Sequence, residues 1–442
     1  MINNIRIKFS INIKISLNQN LIMFNFNYID RIIIIYRGDE MIKRLYDDYK
    51  NIIILGIMAL FIGVSVGVID TIFGKILLEI TNFRGINFTK LIWFLPIAGV
   101  IIIYLYNKIG KNSIKGMSLV FDTANGIEEN IPKRLVPLTI LTTWITHLFG
   151  GSAGREGVSV QLGAAISHTV SKKITIPNSK RIFIVTGMAA GFSGLFQTPI
   201  AAVLFALEVL VAGTLEYEAL FSAVIASFTA YYTSHFLGLE KFTFALEETV
   251  NINFIVLIKL AVIGVIFGIT GGAFAYILGF MKKYFTGLFK NPYIKILVIG
   301  IALSIVLFIL HKGRYCGLGT NLISLSFNDG EIYYYDWILK FALTIITLSA
   351  EYQGGEVTPL FSIGASLGVV LGSILGLPLK LIAALGYASV FGSATNTFLA
   401  PIFIGAEVFG YEYLPFFFAT CSFAYIFNGK KSIYSSQKIY NA

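Results

Sequence analysis

The side chain with the clearest chemical potential is Glu156, an ionisable group in the segment Gly154-Arg155-Glu156-Gly157 of an apolar stretch. A carboxylate is expensive in such surroundings, so its presence indicates a function. Gly154 and Gly157 let backbone N–H groups approach a ligand, and a helix beginning near Val158 would direct its positive end at the same point. We expect an anion site that the Glu156 carboxylate fills until protonation releases it. The alternative is a structural carboxylate paired with Arg155.

The glycine register around Glu156 occurs twice in the chain. Gly154 and Gly163 are 9 positions apart, as are Gly355 and Gly364. Both segments lie in sequence apolar enough for a membrane. We therefore interpret them as two copies of one element.

A second matched pair supports this duplication. Thr198 and Glu208 are 10 positions apart, and Thr397 and Glu407 are also 10 positions apart. Broken helices in corresponding places of two repeats point to a transport site at the repeat interface. We therefore predict an all-α membrane transporter or channel with two inverted-topology repeats, whose halves cover approximately residues 50–240 and 250–435.

The composition is typical of a membrane protein. Of 442 residues, 56% are hydrophobic and 13% are charged, whereas soluble domains have about 25% charged residues. A spanning helix needs roughly 20 apolar residues. The candidate spans are 52–74, 91–106, 135–150, 182–213, 219–239, 253–281, 296–310, 337–350, 360–385, 388–411 and 413–427. The stretches at 150–170 and 354–376 predict helices that stop partway, which requires that freed backbone groups face protein or water.

The net charge of +10 does not indicate nucleic-acid binding, because the basic residues are dispersed in short pairs between apolar segments. The positive-inside bias instead predicts that these pairs lie in cytoplasmic loops. The pairs are Lys43/Arg44, Lys172/Lys173 with Lys180/Arg181, Lys282/Lys283, Lys312/Arg314 and Lys430/Lys431. We expect a multi-pass protein in the lipid bilayer of the cell membrane, which in a prokaryote is the plasma membrane.

Residues 1–40 are rich in Ile and Asn and carry neither a compact apolar core nor a small-residue cleavage site, so they do not resemble a signal peptide. We predict a disordered extension over 1–40, with Met41 as an alternative start, and a transport domain over 41–442. Cys316 and Cys421 lack metal-ligand spacing. We predict no metal site, no cofactor and no enzymatic activity.

Three motifs in the same order resemble the CLC family of chloride channels and anion/proton antiporters. The sequence GREGVSVQLGAA, which begins at Gly154, is similar to the family's gating-glutamate motif. The sequence GFSGLFQTPIAAVLFALE, which ends at Glu208, is similar to its next motif. KSIYS, at 431–435, resembles the stretch that carries the pore tyrosine. The resemblance extends from about residue 50 to the C-terminus.

Departures from the chloride-type motifs resemble the fluoride-exporting branch of that family. The first anion loop of chloride-type members reads Gly-Ser-Gly-Ile-Pro, whereas here it begins Gly116-Met117. The second loop would read Gly-x-Phe-x-Pro, whereas residues 354–359 read GGEVTP. The inner proton-transfer glutamate of chloride/proton exchangers corresponds to Val209. The fluoride branch also lacks that glutamate.

The resemblance implies a fluoride/proton antiporter that exports cytoplasmic fluoride, as a homodimer with one pathway in each subunit. Glu156 would be the gate and proton coupler, and Glu356 with Thr358 would couple proton and fluoride. Tyr434 would guard the inner side of the pore. The anion-binding residues would be Gly116, Met117, Gly154, Gly157, Val357, Thr358 and Tyr434. The partners would be fluoride and protons.

The side chains themselves leave alternatives open. Glu356 would compete with an anion unless it is protonated or paired, and burial beside a negative partner favours its protonated form. Its alternative role is to stabilise a helix dipole. Thr358 offers a hydroxyl donor to a small anion, or caps a helix. Tyr434 is either a pore residue or an interfacial aromatic.

Two other functions are compatible with parts of the sequence. A chloride/proton exchanger or passive chloride channel would share the fold, but Met117 and residues 354–359 speak against it. An intramembrane serine protease is more remote. Its Gly-x-Ser-Gly motif matches Gly191-Phe192-Ser193-Gly194, but a serine nucleophile needs a base. None of the four histidines lies in a small-residue helix motif, and a protease would not explain the duplication.

Overall fold

The computed structural model describes residues 10–17, 20–248 and 253–440, which form two compact units, Met1–Ile57 and Met58–Ala442. In the first unit, β1 (Ser10–Leu17) pairs antiparallel with β2 (Asn20–Asn27). We predicted no regular structure over 1–40, so the described part of this range differs from that prediction. The missed signal is the alternation of isoleucine with polar residues in the sequence of β1, which favours a strand. Residues 1–9, 18 and 19 of the predicted extension lie outside the described residues.

Sixteen α-helices account for most of the described residues. The first eight are α1 (Tyr28–Leu91), α2 (Leu95–Leu105), α3 (Met117–Ala124), α4 (Leu135–Leu148), α5 (Glu156–Ser171), α6 (Ser179–Phe196), α7 (Pro199–Glu208) and α8 (Leu220–Phe236). The second eight are α9 (Phe254–Leu288), α10 (Pro292–Ile309), α11 (Thr320–Phe327), α12 (Asp336–Ser349), α13 (Val357–Leu375), α14 (Leu379–Thr395), α15 (Leu399–Phe409) and α16 (Leu414–Ile426). The only regular strands in the described part of the second unit are β3 (Val211–Ala212) and β4 (Lys438–Ile439), which pair in parallel.

The two sets of helices repeat one another in order, as expected of an inverted duplication. α4 and α12 each contain 14 residues. A break follows each of these helices, and the next helix begins at Glu156 in the first set and at Val357 in the second. The predicted helical membrane fold with two inverted repeats and broken helices is therefore confirmed.

Four segments of the described residues are long and apolar enough to cross a membrane. They are Leu45–Lys115, Phe254–Leu288, Pro292–Ile309 and Val357–Leu375. Several other helices are shorter than the roughly 20 residues that a straight span needs, α7 and α15 among them. Short and broken helices in this fold place helix ends inside the protein rather than at its surface.

Glycines allow α5 to pack closely on α6, and α13 to pack closely on α14. A methyl group on Gly163 of α5 would lie 3.0 Å from the Gly191 nitrogen of α6, and one on Gly364 of α13 would lie 2.9 Å from the Tyr387 nitrogen of α14. Helices in membranes approach this closely only through small residues. The equivalent glycine contacts in the two halves hold the starts of α5 and α13 in equivalent positions.

The basic clusters of the second unit lie on two sides of that unit. Lys115 and Lys180 both contact Glu128, at 2.7 and 2.8 Å, and Lys115 shares a cavity with Lys282. The membrane span α10 separates Lys282 from the Lys312/Arg314 cluster. Our prediction that every basic cluster lies on one side is therefore wrong for Lys312/Arg314. The prediction followed from charge alone, although the candidate span 296–310 already lay between this cluster and Lys282.

Candidate functional site

The breaks that precede α5 and α13 meet at Gly154 and Gly355. The Gly154 N–H donates to the Gly355 carbonyl at 2.5 Å, and the Gly355 N–H donates to the Gly154 carbonyl at 2.8 Å. A methyl group on Gly154 would lie 2.9 Å from the Gly355 oxygen, so only glycine allows this approach. We expected the Gly154 N–H to face an anion. This expectation is wrong for Gly154, because its N–H is already used between the two halves.

Glu156 is the first residue of α5, and its side chain is 1% exposed. Its Oε2 accepts a hydrogen bond from the Thr358 hydroxyl, which is supplied by the first turn of α13. Its Oε1 lies 3.4 Å from Arg155 Nε. The predicted pairing with Arg155 is present but long, so the Thr358 hydroxyl is the closer partner of the carboxylate.

A cavity of about 450 Å³ reaches Glu156 from one side. We call it the Glu156 cavity; Arg155, Thr358, Tyr387 and Asn321 also line it. Phe361 stacks on Tyr387 with ring centroids 4.0 Å apart and forms an aromatic wall behind Thr358. Glu156 is therefore buried in the helical body and also borders a cavity that polar and aromatic side chains line.

A second cavity, of about 340 Å³, lies on the other side of the Gly154–Gly355 contact. We call it the Tyr434 cavity; Gly116, Met117, Glu356 and Tyr434 are among its lining residues. Gly116 has φ +54°, a conformation that side chains rarely adopt, and it turns the chain into α3. The predicted anion-loop residues thus line one wall of this cavity.

Glu356 and Glu156 occupy opposite sides of the point where the two halves meet. Glu356 lines the Tyr434 cavity, whereas Glu156 lines the Glu156 cavity. A methyl group on Gly157 would lie 3.7 Å from Glu356 Oε2, so the Glu356 carboxylate lies against the residue next to Glu156. Val357, the first residue of α13, is buried and does not line either cavity.

Tyr434 presents an unused hydroxyl to the Tyr434 cavity. Its side chain is buried, and the hydroxyl has no hydrogen-bond partner among the described residues. The ring packs on Phe121 of α3 with centroids 5.1 Å apart. Ser435 Oγ lies 3.1 Å from Ser118 Oγ and connects the tyrosine segment to the start of α3. A fixed, unpaired hydroxyl is a ready donor to a small anion.

Sequence reasoning missed Gln161 and Lys282, which also line the Tyr434 cavity. A methyl group on Gly116 would lie 3.5 Å from Gln161 Oε1, so this amide touches the anion loop. Gln161 belongs to α5 and is buried. A polar amide between Val160 and Leu162, five positions after Glu156, was the available signal.

The second matched pair of the duplication forms reciprocal helix caps. The Glu208 carboxylate, at the end of α7, accepts hydrogen bonds from the backbone N–H groups that start α15, at 2.7–3.1 Å. The Glu407 carboxylate, in the last turns of α15, accepts from Ile200 and Ala201 at the start of α7, at 3.2 and 2.8 Å. Each half thus satisfies orphan helix N–H groups of the other.

The protease alternative is inconsistent with the geometry. The Ser193 hydroxyl donates to the Ser227 carbonyl at 2.8 Å. The His147 ring bonds the carbonyls of Thr143 and Ala153, at 2.9 and 3.0 Å. Within the part of the chain that the structure describes, no histidine is hydrogen-bonded to Ser193, so this serine has no base.

The fold and the site together define a membrane transport protein of two inverted halves, in which a buried carboxylate at a helix break separates two cavities. The sequence profile described as Voltage gated chloride channel matches residues 98–429. The chain belongs to this family, the CLC family.

The similar proteins include members named for fluoride. A chloride/fluoride channel protein of Pseudomonas syringae pv. tomato is 33% identical over 411 residues, covering 91% of this chain and 90% of that protein. A crystal structure of a CLC-type fluoride/proton antiporter is 53% identical, with a TM-score of 0.87, and covers 89% of this chain and 99% of that chain. A slow cyanobacterial Cl⁻/H⁺ antiporter, 20% identical, covers 86% of this chain and 96% of its own with a TM-score of 0.74, and it shows the shared fold alone.

Proposed function

We propose that the protein is a fluoride/proton antiporter that exports cytoplasmic fluoride in exchange for protons. The observation that carries this proposal is the contact between Glu156 and Thr358 at the meeting point of the two halves. The 53% identity to a structure described as a CLC-type fluoride/proton antiporter supports the choice of substrate.

The proposed fluoride path joins the two cavities. Fluoride enters the Tyr434 cavity past Met117, where the unpaired Tyr434 hydroxyl offers a hydrogen bond. It then passes Glu356 and Gly157 and reaches the start of α5. It leaves through the Glu156 cavity once the Glu156 side chain has moved aside. Small size favours fluoride, because the constriction between the cavities is formed by packed backbone.

Protonation of Glu156 provides the proposed switch. As a carboxylate, Glu156 fills the N-terminal end of α5, where the helix dipole stabilises a negative charge by up to about 2 kcal/mol in a partly buried site. Protonation removes the attraction between the Glu156 side chain and the dipole of α5. A fluoride ion that replaces this side chain at the helix end is then attracted by the same dipole. The Thr358 hydroxyl, bonded to Glu156 in the closed arrangement, then becomes a donor for fluoride.

The basic clusters support the orientation of the proposed path. Lys115 and Lys282 line the Tyr434 cavity, and Lys431 immediately precedes the lining residues of the tyrosine segment. Positively charged residues near membrane spans favour the cytoplasmic side. In the proposed orientation the Tyr434 cavity therefore opens to the cytoplasm and the Glu156 cavity opens outward, with the protein in the cell membrane.

Proton exchange would make export possible against a fluoride gradient. Hydrogen fluoride is a weak acid that crosses membranes in its neutral form and dissociates inside, which traps fluoride. An inward proton gains about 2.3 kcal/mol per 100 mV of membrane potential, and each unit of pH difference adds about 1.4 kcal/mol. The same exchange moves negative charge outward. A membrane potential that is negative inside therefore drives the proton inward and fluoride outward.

Reconstituted liposomes test this function directly. We expect fluoride efflux to be accompanied by proton uptake into the vesicles, recorded with a fluoride electrode and a pH dye. Glu156→Gln should abolish the proton signal, because an amide does not carry the proton. Glu129→Gln, which neutralises an exposed loop carboxylate, is the matched control and should leave both signals unchanged.

A chloride exchanger or passive channel would give different results in the same vesicles. Chloride efflux with proton movement and without fluoride efflux would indicate the exchanger, and fluoride efflux with no proton movement would indicate a channel. Either result would overturn the proposal. We further propose a homodimer with one pathway in each subunit, as in the family resemblance, which cross-linking in native membranes can test.

A further inference from the structure

A third cavity, of about 830 Å³, is larger than either transport cavity. It lies between the end of α1 and the connection from α10 to α11. We call it the Arg84 cavity; its lining includes Arg84, His311, Lys312 and Arg314 and contains no carboxylate side chain. It adjoins the Glu156 cavity, because Asn321 lines both. It therefore lies on the same side of the protein as the Glu156 cavity.

The cationic side chains of the Arg84 cavity outnumber the carboxylates that pair with them. Arg84 is buried, and within the described residues its guanidinium makes one side-chain hydrogen bond, to the His147 carbonyl at 2.8 Å, and no ion pair. Lys312 is exposed and has no carboxylate within ion-pair distance in the same part of the chain. Arg314 is neutralised by Asp336, at 2.7 Å. Two cations thus face the cavity without an anion.

Lys340 lies behind the cavity wall. Its side chain is fully buried, and Nζ donates to the Gly317 and Tyr315 carbonyls at 2.7 and 3.2 Å and to Ser152 Oγ at 2.9 Å. All three acceptors are neutral. Burial without a counter-ion disfavours the charged form of this side chain, and an anion in the adjacent cavity would favour it.

Strained backbone holds the cationic rim in place. His311 has φ +50° and Lys312 has φ +45°, which are uncommon for residues other than glycine. The His311 ring stacks on Tyr333 with centroids 5.2 Å apart and bonds the Tyr335 hydroxyl at 3.0 Å. Such strain persists only where the surroundings impose it, often at ligand clamps.

Exposed apolar side chains lie near the Arg84 cavity. Ile309, which lines the cavity, is the last residue of the span α10 and is 71% exposed. Ile86 of α1 is 86% exposed. Trp93, an aromatic of the type enriched at membrane interfaces, packs on Phe308 with centroids 5.1 Å apart. Exposed apolar side chains thus lie beside the cationic rim. A lipid whose headgroup binds in the cavity needs such an apolar surface for its acyl chains.

We propose that the Arg84 cavity binds the phosphate of an anionic glycerophospholipid, with Arg84 and Lys312 as its donors. A fluoride ion, with a volume similar to the roughly 30 Å³ of a water molecule, would fill little of such a space. A headgroup of several polar atoms fits it, and its acyl chains pass along Ile309 and Ile86. The site adjoins the outward cavity of the proposed transport path at Asn321, but lipid binding there does not depend on which ion is exported.

Lipid binding to the full-length protein in detergent tests the proposal. Delipidated protein is titrated with phosphatidylglycerol, phosphatidylcholine or inorganic phosphate in fluoride-free buffer, and binding is followed by native mass spectrometry and by the shift in Tm. We expect phosphatidylglycerol to bind most tightly. Lys312→Gln should weaken its binding about fivefold, which corresponds to one cation near the headgroup. Arg84→Gln should weaken it at least as much.

Lys75→Gln is the matched control, because Lys75 is an exposed cation on α1 that does not line the cavity. It should leave the affinity for phosphatidylglycerol unchanged. If Arg84→Gln does not fold, Lys312→Gln decides alone, since this side chain is exposed and makes no described hydrogen bond. Equal binding of the two lipids, an unchanged affinity in Lys312→Gln, or equal stabilisation by inorganic phosphate would each overturn the proposal, the last in favour of a soluble anion.

Discussion

Thr358 donates a hydrogen bond to Glu156, although the two residues lie 202 positions apart and belong to opposite halves of the chain. The two halves thus share one proton-bearing group: the first supplies the carboxylate and the second supplies its donor. Any movement of one half against the other changes the environment of this carboxylate.

Removing the Thr358 hydroxyl should impair fluoride transport. Hydrogen bonds to charged groups contribute about 1.5–3 kcal/mol, so Thr358→Val should slow fluoride efflux by roughly ten- to a hundredfold if the hydroxyl also serves the transported anion. Thr358→Ser keeps the donor and should retain most of the rate. Initial efflux rates from liposomes provide the measurement, and equal rates for the valine and serine variants would show that the hydroxyl has no part in transport.

Replacing Glu356 with glutamine should alter coupling. The carboxylate lies against Gly157 and faces the Tyr434 cavity, which is a suitable position for a proton on its way to Glu156. We expect Glu356→Gln to lower the number of protons exchanged per fluoride while fluoride binding persists. Simultaneous fluoride and pH recordings give the ratio. If the ratio equals that of the Glu129→Gln control, Glu356 only stabilises the start of α13.

Met117→Ser should weaken discrimination against chloride. The substitution places a hydroxyl donor at the start of α3, where Met117 lines the Tyr434 cavity. Chloride efflux should rise relative to fluoride efflux. Ile114→Ser, in the wall of the same cavity, is the control for a general gain in polarity. Equal effects of the two variants would mean that selectivity is set elsewhere.

The reciprocal caps should contribute unequally to stability. Glu208→Ala leaves three backbone N–H groups without their acceptor, and Glu407→Ala leaves two. An unsatisfied buried donor costs about 1–3 kcal/mol, so both variants should unfold at lower temperature than the parent, with Glu208→Ala the lower. Thermal unfolding in detergent measures the order. A Tm for Glu208→Ala that matches an exposed Glu129→Ala control would contradict the capping role.

The sequence predicted the duplicated elements because their spacing is local. The steps from Gly154 to Gly163 and from Gly355 to Gly364 follow from helix geometry within one segment, and the structure contains equivalent helices at both places. Glu208 and Glu407 were recognised as counterparts for the same reason. Their exchange of caps was not predicted, because the contact depends on how the two halves pack and not on any spacing within one half.

The incorrect and incomplete predictions from the sequence have similar physical causes. The Gly154 N–H looked free for an anion because its partner, Gly355, lies in the other half. Gln161 was overlooked because its contact with Gly116 joins segments that are distant in sequence. The side assigned to Lys312 was wrong because charge alone does not reveal how many spans precede it.

The reciprocal caps also bear on how the chain is made. When α7 emerges from the ribosome, the N–H groups of Ile200 and Ala201 have no acceptor, because Glu407 has not yet been synthesised. At about 5–20 residues per second, the intervening 206–207 residues take roughly 10–40 s. Throughout that interval the nascent first half carries an open helix end in the bilayer, which water, lipid or a membrane insertase must satisfy. The arrival of the second half therefore completes the first, and the two halves mature as a single unit.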